Sequence, residues 1–109
     1  MIHDTLKQIE AQLQSAAISE ERRNELIQLL AKLKSEVGEL AHTHDAEARS
    51  IAGFTQVSAH EATRETRNPQ LLDLSLQGLR SSVEGFEKTH PKLVQIVNSI
   101  SNTLSNLGI

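Results

Sequence analysis

Apolar residues recur at helical spacing along nearly the whole chain. Ile2, Leu6, Ile9 and Leu13 step by four, three and four, which lines one face of a helix. Asp4 sits where an N-cap or first-turn carboxylate complements the helix dipole. The pattern is interrupted at Ala16-Ala17-Ile18, and Ser19 followed by Glu20 and Glu21 is a start signal for a second helix. Leu26, Leu30, Leu33, Val37 and Leu40 form its seam, and the same register carries on through His44, Glu47, Ile51, Phe54, Ser58 and Glu61. No proline occurs between Ser19 and Asn68. The reading adopted is therefore one long helix of about 70 Å at roughly 1.5 Å per residue. A break near His42-Thr43-His44-Asp45, poor helix formers and polar at the seam, is the competing reading.

Asn68-Pro69 is a cap followed by a first-turn proline, and Leu72, Leu76, Leu79, Val83 and Phe86 form the next seam, widened by Leu71 and Leu74. Thr89-His90-Pro91 repeats the punctuation before a last seam of Leu93, Val97, Ile100, Leu104 and Leu107, with Gly108 placed for a C-terminal cap. No strand alternation is visible. The expectation is one all-α domain over 1–109, an elongated antiparallel bundle around one long central helix, with helices at about 4–16, 20–66, 69–89 and 91–107.

Length matching bears on assembly. The last two helices, folded back, cover most of the long second helix, while the first helix reaches only its N-terminal half. Two helices cannot enclose a core, so the half carrying Ile51, Phe54 and Val57 calls for a second protomer. A homodimer is expected there, through Ile51, Phe54, Val57, Leu71, Leu72, Leu74, Leu76 and Leu79. A bent second helix would instead let the chain pack as a monomer.

Composition narrows the chemistry. Leu, Ile, Val and Phe supply 30 of 109 residues, enough to form a core. Cysteine is absent, which removes disulfides, thiolate metal sites and cysteine nucleophiles. A net charge of −3 with interleaved acids and bases argues against nucleic-acid binding. The N-terminus has no basic and apolar leader, and the uncharged run from Leu93 is too rich in Asn and Ser to span a membrane. A cytoplasmic protein is expected.

The segment Phe86-Glu87-Lys88-Thr89-His90-Pro91, with the ending Asn106-Leu107-Gly108-Ile109, resembles the C-terminal signature of a bacterial family known as domain of unknown function 4404. The opening helix and the stretch to Leu40 are similar in pattern, while the middle, including Ser50-Ile51-Ala52-Gly53-Phe54, looks like an elaboration. The resemblance implies a short all-helical protein and supplies no catalytic residues.

Histidines carry the remaining chemistry. Glu39 to His42 and Glu87 to His90 have the spacing used in di-iron bundles, but Glu39 and His42 fall on the outward face of the seam register. His44 and His90 both lie on seams, and folding about Arg67-Asn68 sets them opposite each other, with Glu47 one seam position away. Two imidazoles and a carboxylate suit a zinc-like ion or a pH-responsive site; the blander alternatives are a polar layer fixing helix register, capping of the last helix, or partial exposure. His60, Glu61, Arg64 and Arg67 make a charged tip. The last helix has no charge after Lys92, the mark either of a helix covered on more than one side, by another protomer or by a protein partner, or of small polar residues that allow close helix packing. No glycine-rich phosphate loop or nucleophile elbow is present. The reading is a non-enzymatic, self-associating interaction or scaffold module without cofactors. The alternative is a metal-binding or pH-responsive protein using His44 and His90.

Overall fold

The computed structural model describes residues 2–107; the cap expected at Gly108 lies outside the described residues. Five α-helices and one 3₁₀ turn account for the elements among the described residues: α1 (Ile2–Ser15), α2 (Glu20–Leu40), α3 (Asp45–Thr63), α4 (Pro69–Ser81), the 3₁₀ turn at Glu84–Phe86, and α5 (Pro91–Leu107). The starts follow the caps. The Ser19 hydroxyl accepts from the Arg22 N–H at 3.2 Å, and the Asn68 side chain accepts from the Leu71 N–H at 3.1 Å, with Pro69 opening α4.

Two expected helices are shorter than the periodicity suggested. The long helix over 20–66 does not form. The chain leaves α2 at Ala41, makes a turn through His42 and Thr43, and enters α3 after His44, whose φ of −136° is not helical. The amides of Thr43 and His44 both bond the Leu40 carbonyl, and the Thr43 hydroxyl bonds the same oxygen and the His44 ring. Asp45 and Glu47 then stabilise the positive end of α3. The helix expected over 69–89 stops at Ser81 because Ser82 caps it, its hydroxyl donating to the Leu79 carbonyl at 2.6 Å, and Gly85 follows.

The break corrects the overall shape as well. A helix of about 70 Å is replaced by a body of 37 × 24 × 22 Å. One cluster of buried side chains runs through all five α-helices. α1 packs on α2 and α3, α2 on α5, α3 on α4, and α5 also on α3 and α4. The second half of the expected long helix is thus folded back as α3, which packs on α1 and α4 within the chain.

The packing exposes an internal repeat. Shifted by 46 positions, 26–44 matches 72–90 at Leu26/Leu72, Leu30/Leu76, Leu33/Leu79, Ser35/Ser81, Val37/Val83, Thr43/Thr89 and His44/His90. All the paired leucines and valines are buried. Each unit is a helix, a Thr-His turn and a helix. The first helix of each unit packs on the second helix of the other, as expected of two units related by an approximate twofold. α1 stands outside this scheme and packs on α2 and α3.

Candidate functional site

Of the eight residues expected at an interface, four belong to the chain's own core: Ile51, Leu72, Leu76 and Leu79 are buried. The other four are not absorbed. Phe54 is 40% exposed, Val57 48%, Leu71 42% and Leu74 55%, and they are the exposed large hydrophobic residues among those described. Phe54 and Val57 are on α3, Leu71 and Leu74 on α4, and the two helices form a hairpin closed by a short connection. The Phe54 ring lies directly over Gly78, where any β-carbon would overlap the ring edge. These side chains therefore form one apolar face along the α3–α4 hairpin.

The repeat supplies an internal comparison. Ile100, Thr103, Glu25 and Gln28 are the counterparts of Phe54, Val57, Leu71 and Leu74. On that side the Thr103 hydroxyl donates to the Glu25 carboxylate at 2.8 Å, Ile100 is buried, and Gln28 is exposed. The same packing is thus closed with polar groups on the α2–α5 side and left apolar on the α3–α4 side. The fold itself does not require exposed Phe and Leu there.

His44 and His90 do come together, with ring centroids 6.4 Å apart, each set edge-on to Phe86 at 5.4 Å. Their Nδ1 atoms are engaged alike, by Thr43 Oγ1 at 2.8 Å and Thr89 Oγ1 at 2.9 Å. Equivalent residues that meet must lie close to the axis relating the units. The meeting takes place at the ends of helices near the surface, since His44 is exposed and His90 only half-buried. Among the described residues no three His, Cys, Asp or Glu side chains are grouped to hold a metal, so Glu47 does not complete a ligand set with the pair, and neither Glu-x-x-His string builds one.

The charged tip is partly tied down within the chain, while His60 and Arg67 are exposed. Glu61 is buried, and Arg64 donates to its carboxylate at 2.9 Å, while Gln12 lies 3.5 Å from the ring of His60. The lack of charge on α5 also has an internal cause. That helix packs against α2, α3 and α4, which leaves only a strip including Gln95, Asn98, Asn102 and Asn106 exposed. The recesses between α1 and α3 and between α2 and α5 are open to solvent. No described helix is long and apolar enough to cross a membrane.

Comparison with curated proteins and with solved structures returned no match. A family model does match, over 26–109, a span that includes the middle of the chain. The match takes in both repeat units and leaves α1 outside. The chain belongs to the family described as Domain of unknown function (DUF4404).

Proposed function

We propose that the chain is a non-enzymatic, self-associating helical module that works by protein–protein contact, with the α3–α4 face as its docking surface. The observation that carries this reading is the contiguous exposure of Phe54, Val57, Leu71 and Leu74. Single exposed apolar residues are ordinary, whereas a contiguous group marks a contact surface. Its counterpart on the α2–α5 side, closed by Glu25 and Thr103, supports the same reading.

The test is molar mass by size-exclusion chromatography with light scattering, using refractive-index detection because Trp and Tyr are absent. The expected result is a mass above the 12.0 kDa chain for the wild type and the chain mass for Val57→Glu, with helix content unchanged by circular dichroism. Equal masses for the two proteins would remove the α3–α4 face from the proposal.

A further inference from the structure

We infer that the docking face is occupied by a second copy of this chain, with α4 packed antiparallel on its own counterpart and Asp73 of each copy facing Arg80 of the other. The inference rests on the reading of the α3–α4 face above. It adds the orientation in which the two copies meet and the residues that pair across the twofold.

On α4, Leu71, Leu74 and Gly78 follow one another at helical spacing and form one apolar row, with the Phe54 ring of α3 seated over Gly78. Beside that row runs a second stripe, Asp73, Gln77 and Arg80, all exposed. Asp73 and Arg80 are the only charged residues of α4. They are seven residues apart, which is two turns, or about 10 Å along one stripe. Neither makes an ion pair within the chain among the described residues. Arg80 lies in the last turn, where the helix dipole favours a cation, but Asp73 is past the first turn, so the dipole does not account for both.

A helix bearing one negative and one positive charge at mirrored positions is complementary to itself when turned end for end. An antiparallel pair centred between Leu76 and Gln77 forms both Asp73–Arg80 contacts at once, as a twofold interface demands. A strongly acidic or basic partner would find no net sign on this helix to select it.

Area supports the same arrangement. The four exposed side chains present on the order of 300 Å² of apolar surface, against the roughly 800 Å² that each partner buries in a standard interface. They form the centre of such an interface, and Gln70, Gln77, Ser81 and the two charges form its polar rim. Phe54, already seated on Gly78, enters it with its ring position set beforehand, which lowers the ordering cost of association.

The experiment is sedimentation equilibrium with interference optics on the full chain. It compares the wild type with Leu74→Glu, Asp73→Arg, Arg80→Asp and the double reversal Asp73→Arg/Arg80→Asp, each checked for helix content. The wild type is expected at twice the 12.0 kDa chain mass and Leu74→Glu at the chain mass. Each single reversal sets like charges together twice across the twofold and is expected to weaken the dimer by about tenfold or more. The double reversal restores opposite charges and is expected to return to within about threefold of the wild type. A wild-type dimer broken by Leu74→Glu but indifferent to the reversals, or not rescued by the double reversal, overturns the antiparallel pairing and leaves the docking face standing. A dimer untouched by Leu74→Glu overturns the docking face and the pairing with it. A wild type at the chain mass at every concentration overturns self-association altogether.

Discussion

Replacing Gly78 by alanine puts a methyl group where the edge of the Phe54 ring now lies. Two opposing quantities follow. Glycine inside a helix costs about 1 kcal/mol relative to alanine, so the backbone of α4 gains that much. The ring must move, however. Phe54 is 40% exposed, so more than half of its surface is covered. Full burial of a phenylalanine contributes up to about 3 kcal/mol, and the covered part of this one corresponds to about 1–2 kcal/mol. The expected result is a net loss of about 0.5 kcal/mol in the wild-type background, the ring loss slightly exceeding the helix gain. In a Phe54→Ala background the clash is absent, and Gly78→Ala should then stabilise by about 1 kcal/mol. The sign reverses between backgrounds, with a coupling of about 1.5 kcal/mol. Urea unfolding of all four proteins, followed by far-ultraviolet circular dichroism at one fixed protein concentration, measures it. Equal stabilisation by Gly78→Ala in both backgrounds would show that the ring does not rest on Gly78.

Two further substitutions probe how the body is held together. Arg23 bonds the carbonyls of Leu13, Ala16 and Ile18 at 3.2, 2.8 and 3.4 Å, tying the negative end of α1 to α2, where α1 has no basic residue of its own. Arg23→Lys cannot reproduce this fork, so it should cost about 1–2 kcal/mol and release α1 amides to hydrogen exchange before those of α5; uniform protection in the variant would count against the clasp. Ser58 and Ser101 are fully buried, and their hydroxyls find no partner among the described residues. Ser101→Ala should therefore stabilise by about 1 kcal/mol in the same urea assay, and a destabilised variant would mean that the hydroxyl is in use.

Much of the helical layout was legible because helix ends are chemical. Ser19 before two glutamates, Asn68-Pro69 and His90-Pro91 all mark real starts, and the seams through Leu26 to Leu40 and Leu93 to Leu104 are buried as spaced. The break at His42 to His44 was not decided by pattern, because the buried positions keep their phase across it: Leu40, Ala48 and Ile51 are all buried on either side of the turn. Periodicity reports which face is covered and says little about whether the helix between is continuous. That one ambiguity carried the elongated shape with it. The apolar width at Leu71 and Leu74 survived, because it is a property of the residues themselves and does not depend on how the chain folds back. The repeat was in the sequence throughout, in Thr43-His44 and Thr89-His90, but heptad-like leucines match at many offsets. It takes the packing to single out the one that matters.

The exchange of partners between the two units has a consequence for how the chain folds. α2 rests on α5 and α3 on α4, so each unit covers its seam mainly with the other unit. The hydrogen bond from Thr103 to Glu25 joins residues 78 apart, which shows how late in the chain the closing contacts lie. A nascent chain ending at α3 holds a helical hairpin with α1 against one side and its remaining seam bare. Long-range closure of this kind carries a loop entropy cost before any contact repays it. The two units are therefore expected to unfold together, in one transition, rather than one after the other.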